Sequence, residues 1–275
     1  MAEVDRERQI ARAQKTRRNI MAMGVIAGAA VVARARPAKA GQNEQGQNGQ
    51  GQNGGNHSCF LRGTKIQTVL GERKIEDLAI GDLLPTVFGG IRPIQWIARY
   101  RYRKSDPSRP WGKDVLPVRV ARSALAPDVP HADLFLTQRH ALYVDGALVR
   151  VGGLINGATI ALYAAEEFDE LEFFHIKLET HDLIHVEGAV CETLQSVDEN
   201  ANNFADYYRK YGMPQTEEQP CVPILSYNGG RSQIKSRFRS AISPWFDRRH
   251  QFDIIRDRLE ERALCPGQRV GASRA

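Results

Sequence analysis

The protein has 275 residues, of which 42% are apolar and 25% charged, the balance of an ordinary soluble globular chain. Its formal charge of +6 would suggest nucleic acid, but residues 1–40 hold nine Lys/Arg against three Asp/Glu, and the remainder carries 29 of each. The basic surplus belongs to the leader, so a nucleic-acid partner is not expected.

In the leader, Thr16-Arg17-Arg18 precedes a mildly apolar run from Ile20 to Ala33, closed by Arg34, Arg36, Pro37 and Ala38-Lys39-Ala40. A basic start, a short apolar stretch and a small-x-small site are the three parts of an export signal. The run is shorter than the roughly 20 residues that span a bilayer, so no stable membrane anchor is expected. The paired arginines and weak hydrophobicity resemble a twin-arginine signal, although Ile20 and Met21 stand where that family prefers Phe and Leu. The resemblance implies that residues 1–40 engage a twin-arginine or other export machinery. It also implies a bacterial protein that is exported, periplasmic or secreted. The alternative is a basic amphipathic helix that stays attached and touches anionic lipid. Residues 41–57 are almost wholly Gly, Gln and Asn. With nothing apolar to bury they cannot offset the entropy of ordering, and they read as a flexible linker.

From residue 58 the pattern is β. Lys65–Val69 alternates, Gly71-Glu72 suggests a turn, and strands are expected over Leu83–Val87, Ile91–Arg103 and Leu116–Ala121. Leu134–Val144 and Ala147–Gly152 flank Asp145-Gly146, a strong hairpin signal. Thr159–Tyr163, Leu171–Glu179 and Leu183–Val190 complete the set. Short strands with closely spaced turns predict an all-β domain over residues 58–195. An extension over 196–275 follows. Asn200–Tyr211 is expected to be a short helix, and Ser243-Pro244 to open a second one running to about Ala263. Cys191, Cys221 and Cys265 offer a disulfide whose pairing the sequence leaves open.

Cys59 opens the β region, directly after the linker, where a thiol can reach the peptide bond that precedes it. Thr137-Gln138-Arg139-His140 stands in the middle of the region and His181 near its end, and residues 71–82 read Gly-Glu-Arg-Lys-Ile-Glu-Asp-Leu-Ala-Ile-Gly-Asp. In this order the set resembles the Hint domain, the fold shared by inteins and the autoprocessing domain of Hedgehog proteins, and in particular its stand-alone bacterial group. The resemblance implies an all-β Hint fold and self-cleavage at the Ser58–Cys59 bond. In that reaction Cys59 attacks the Ser58 carbonyl in an N-to-S acyl shift, and water or another small nucleophile resolves the thioester. It assigns protonation of the leaving nitrogen to His140, positioning of the bond to Thr137, and a later step to His181. No cofactor and no metal ion are implied. His175, His181 and His185 would line one face of a continuous strand, which could hold a metal, but a turn expected over Glu179–Asp182 breaks that register.

Three departures from the family pattern shape the expectation. No His-Asn pair ends the domain, so protein splicing is not expected. Position 175 is His where inteins usually carry an acidic residue or Cys, and the segment before Cys59 is a spacer rather than a folded passenger. The alternative is a catalytically silent Hint fold serving as a binding or structural module. A thiol hydrolase acting on other molecules would need an open cleft beside Cys59.

Overall fold

The computed structural model describes residues 57–213, 219–225 and 250–264. The expected leader, most of the linker and the Ser243-Pro244 helix start lie outside these residues.

Fifteen short strands form two sheets among the described residues. In chain order they are β1 (Phe60–Leu61), β2 (Lys65–Thr68), β3 (Gly71–Lys74), β4 (Leu83–Thr86), β5 (Gly90–Pro93), β6 (Trp96–Arg103), β7 (Val118–Val120) and β8 (Leu134–Leu136). They continue with β9 (Ala141–Val144), β10 (Ala147–Arg150), β11 (Ile160–Leu162), β12 (Glu170–Lys177), β13 (Leu183–Val186), β14 (Ala189–Glu192) and β15 (Ile224–Leu225). The six-stranded sheet runs β11-β7-β8-β1-β12-β6. The second sheet runs β15-β10-β9-β14-β13-β2-β3, with β4 pairing β13 and β5 pairing β4. Helices α1 (Phe204–Tyr211) and α2 (Gln251–Leu264) follow, so the described part of the chain is mostly β with short helices after it.

Several expected strands divide. Leu134–Val144 is not continuous: it breaks between β8 and β9, which belong to different sheets, and the break is the Thr137–His140 segment. Ile91–Arg103 splits at Ile94-Gln95 into β5 and β6, again in different sheets. Leu183–Val190 hides a second hairpin turn, where Glu187 (φ 47°) and Gly188 (φ 78°) take left-handed conformations as Asp145 (φ 50°) and Gly146 (φ 84°) do. Gly71 and Glu72 are strand residues paired to Thr68 and Gln67, so the turn falls at Val69-Leu70 instead.

One apolar core lies between the sheets. It joins Phe60, Leu134, Leu136 and Phe174 of the first to Ile66, Leu84, Leu142, Ile184 and Val186 of the second. Phe252, Ile255 and Leu259 of α2 belong to the same cluster. A second cluster covers the outer face of the six-stranded sheet, where Cys59, Trp96, Tyr100 and Phe173 meet Phe204 and Tyr207 of α1. Adjacent residues such as Phe173 and Phe174 therefore serve different cores, as the two-residue period of a strand requires. Cys59 and Phe60 divide in the same way.

Candidate functional site

β1 is only two residues long, yet it sits between β8 and β12 in the six-stranded sheet, paired Phe60 to Leu136 and Phe60 to Phe174. One step along each antiparallel ladder brings Cys59 level with Thr137 on one side and His175 on the other. The pairing is tight. The Thr137 N–H donates to the Cys59 carbonyl at 2.9 Å, and the Cys59 N–H donates to Thr137 Oγ1 at 2.8 Å. The Thr137 hydroxyl in turn donates to the His57 carbonyl at 2.6 Å. The peptide nitrogen between Ser58 and Cys59 is thus held by Thr137, from a hydroxyl oriented by a further bond.

After Thr137 the chain turns, with the His140 N–H donating to the Thr137 carbonyl at 3.1 Å, and enters β9. This turn carries the His140 ring into the protein, where it lies 4.2 Å from the Phe60 ring and 4.9 Å from His175, centroid to centroid. Both ring nitrogens of His140 are buried without a hydrogen-bond partner. Burial pulls its pKa down to about 4; Glu192 and the adjacent Ser58 backbone work against the shift, and His181 adds to it. His175 is lowered to about 3 by burial and then by His140. Both rings are neutral at physiological pH.

His181 comes from the turn between β12 and β13, which did form where expected. The turn is clasped to β14: the Asp182 N–H donates to Thr193 Oγ1 at 3.0 Å, and the Thr193 N–H donates to the Asp182 carbonyl at 2.9 Å. His181 Nδ1 accepts from the Cys221 N–H at 3.1 Å. The ring proton therefore sits on Nε2, which faces Glu192 Oε2 at 3.9 Å.

Glu192 is the residue the sequence did not reveal. It ends β14 opposite Leu183 and is buried, its Oε1 accepting the Ala141 N–H at 2.8 Å. Burial raises its pKa, but His181, His140, His175 and the Ala141 N–H outweigh this and hold the carboxyl below its ordinary value. One carboxylate thus serves three histidines. His185 is not among them, and the three evenly spaced histidines do not form a metal cluster among the described residues. Cys59, Cys191 and Cys221 are free thiols; Cys265 lies outside the described residues.

On the other side of β1, the Cys59 thiol packs with Tyr100 and Phe173. It is fully buried. Burial, then the charges of Asp198 and Glu192, push its pKa well above the ordinary thiol range, so the resting sulfur is protonated. The last residue of the expected linker, His57, belongs to this side too. Its ring stacks on Tyr100 at 4.1 Å and its Nδ1 pairs with Asp198. A cleft of about 580 Å³ opens here, lined by His57, Ser58, Arg139, His175, Glu192 and Asp198. Thr137 therefore binds the Cys59 nitrogen and His140 lies beside the Ser58 backbone, while His181 reaches this group through Glu192. His57, His175, Glu192 and Asp198 join them.

The buried histidines make the fold acid-sensitive. Their native pKa values lie below the unfolded value of 6.5, so the unfolded chain takes up protons first as pH falls. Stability is complete above pH 6.5 and declines towards pH 4, by up to about 2.7 kcal/mol per pH unit for the two groups together. Glu192, with its depressed pKa, adds stability above the carboxylate range that is lost in the same direction. Melting temperature should fall steeply from pH 7 to pH 4, and His175→Gln should flatten that slope. An equal slope in the variant would contradict the assignment.

The comparison with protein families bears on this architecture. The model of the Hint domain family matches residues 58–198. Among solved structures the chain is similar to the gp41-1 intein, at 12% identity over 49% of this chain and 98% of that one, with a TM-score of 0.35. It is likewise similar to a bacterial intein-like domain from Clostridium thermocellum, at 17% identity over 50% of this chain and 98% of that one, TM-score 0.35. A DnaB intein from Synechocystis sp. PCC 6803 aligns at 8% identity over 50% of this chain and 99% of that one, also with a TM-score of 0.35. No curated protein matches. With its family match spanning just over half of its length, the chain belongs to the Hint domain family.

Proposed function

We propose that the protein is an autoprocessing Hint domain that cleaves itself between Ser58 and Cys59 by an N-to-S acyl shift, without splicing. The observation that carries this reading is the 2.8 Å bond from the Cys59 N–H to Thr137 Oγ1. A peptide nitrogen held by a buried side chain, next to a buried thiol and with a buried histidine beside the Ser58 backbone, suits the chemistry of that one bond.

In the proposed step the Cys59 sulfur bonds to the Ser58 carbonyl carbon and its proton passes to His57, which Asp198 orients. The nitrogen becomes tetrahedral, loses amide resonance and turns basic. His140 delivers a proton to it, and the C–N bond breaks to leave a thioester and a free amine. His140 is neutral at rest, so it first takes its proton from solvent, and His57 gives the thiol proton back to solvent; one proton leaves sulfur and one arrives at nitrogen, and the step is an isomerisation. Glu192 stabilises His140 while it carries the proton, and His181 holds Glu192 in place. Water or a small nucleophile entering by the cleft then resolves the thioester. The step depends on the folded site, so a passenger fused before Ser58 should be released faster in dithiothreitol and not at all in urea. Equal release in urea would contradict it.

Residues 1–40 are proposed as a twin-arginine-type export signal. Cleavage after Ala40 would leave Gly41 at the mature N-terminus, and Arg17→Lys with Arg18→Lys should leave the precursor in the cytoplasm. Normal export of the double variant would remove that assignment. The linker over 41–57 and the extension over 196–275 are proposed as segments flanking the Hint domain, with the extension packed on it through α1, β15 and α2.

A further inference from the structure

Glu72, His131 and Glu187 are far apart in sequence and take no part in the site above. They converge where β3, the segment before β8 and the β13–β14 turn meet. His131 Nε2 stands 3.3 Å from Glu72 Oε1 and 3.3 Å from Glu187 Oε2. The three donor atoms all lie within 4.8 Å of one another.

The cluster is built rather than incidental. The residue Glu187 is 5% exposed. Its Oε1 accepts the Lys65 N–H at 2.8 Å, which fixes the carboxylate. Its Oε2 is buried without a hydrogen-bond partner and faces the imidazole nitrogen. The His131 N–H donates to the Glu187 carbonyl at 2.8 Å, tying the two residues together through the backbone. Gly188 completes the fit: its φ of 78° suits glycine, and a Cβ there would stand 2.7 Å from His131 Nδ1. The side chains of Glu72 and His131 are 28% and 33% exposed, so the cluster is open to solvent on one side.

We propose that Glu72, His131 and Glu187 form a binding site for a divalent transition-metal ion, with zinc as the best match. The geometry agrees with that ion. Two donors roughly 2.0–2.1 Å from a tetrahedral centre stand roughly 3.3–3.4 Å apart, and both separations from His131 are 3.3 Å. An imidazole with two carboxylates selects zinc over calcium or magnesium, which take oxygen ligands. The two carboxylate charges balance the ion, and the fourth position opens to solvent. A bound ion would cross-link the β2–β3 hairpin to the β13–β14 hairpin, whose last residue is Glu192.

The test is zinc binding by the full chain after chelator treatment, read as metal per chain by mass spectrometry and as melting temperature. One zinc ion per chain and a raised melting temperature are expected in the wild type, and also in Cys59→Ala, which separates this site from the thiol. His131→Gln should weaken binding about a hundredfold or more. Glu72→Gln alters only a surface strand residue and should weaken it as well while the protein stays folded. Cobalt(II) absorption should lose its imidazole signature in His131→Gln. Zinc bound equally by wild type and His131→Gln overturns the proposal. So does a melting temperature that zinc leaves unchanged, which would mean a simple ion pair between His131 and the two carboxylates.

Discussion

Replacing Cys59 with alanine should abolish release of a passenger fused before Ser58, leaving no slow residual reaction. The nearest hydroxyl, that of Thr137, is already committed to the Cys59 N–H and the His57 carbonyl, so the thiol is the acceptor the Ser58 acyl group loses in this variant. Fold should survive the change. Cys59 is fully buried, but the substitution removes one sulfur from a cluster anchored by Trp96, Tyr100 and Phe173. A loss of about 1–2 kcal/mol is in keeping with a small buried truncation. Intact mass over several days checks the outcome, and circular dichroism confirms the fold. Release by the alanine variant at anything near the wild-type rate would mean ordinary hydrolysis.

Replacing His140 with alanine should slow release by about 10²–10⁴, the usual worth of a positioned proton donor. The buried groups also dictate how the reaction depends on pH. From sequence alone, a thiol of ordinary pKa near ~8.5 would make the rate climb towards that value. In the fold the thiol is pushed well above the ordinary range and His140 down to about 4. The reactive form needs an ionised sulfur and a protonated His140 together. Between the two pKa values, each tenfold gain in thiolate is offset by a tenfold loss of imidazolium. The wild-type rate should therefore be nearly flat from about pH 5 to pH 9 and fall below pH 4. In His140→Ala that compensation is gone, and the residual rate should rise with pH. A wild-type rate that climbs tenfold per pH unit would contradict the role given to His140.

The parts that the sequence disclosed are those set by local chemistry. Asp145-Gly146 announced its hairpin because two left-handed residues in succession strongly favour this pair. The alternation in Lys65–Thr68 announced a strand for the same kind of reason. The sequence concealed what depends on which sheet a segment joins. Leu134–Val144 reads as one strand, but the chain crosses between sheets at Thr137–His140, and that crossing is what places the two motif residues at the bond. β1 is too short to show a period, and its location between β8 and β12 is decided by non-local pairing. Glu192 lies beyond the last expected strand, Leu183–Val190, and has no role expected from the sequence. Only the pairing with Leu183 and the fold of the His181 turn bring it beside three histidines. His57 was counted with a polar spacer, and nothing near it in sequence hints at Tyr100 or Asp198. His175 was noted as a departure from the family pattern, and it lies within the site.

The most direct test of the account is the chemical identity of the passenger's new C-terminus. A folded passenger is fused before Ser58, the protein is purified folded, and hydroxylamine is added at neutral pH. A thioester at Cys59 is captured by hydroxylamine, so the account predicts a passenger ending in a Ser58 hydroxamate, together with a partner fragment beginning at Cys59. Wild-type protein that remains intact in hydroxylamine for days while fully folded would contradict the acyl shift and leave the Hint fold as a silent scaffold.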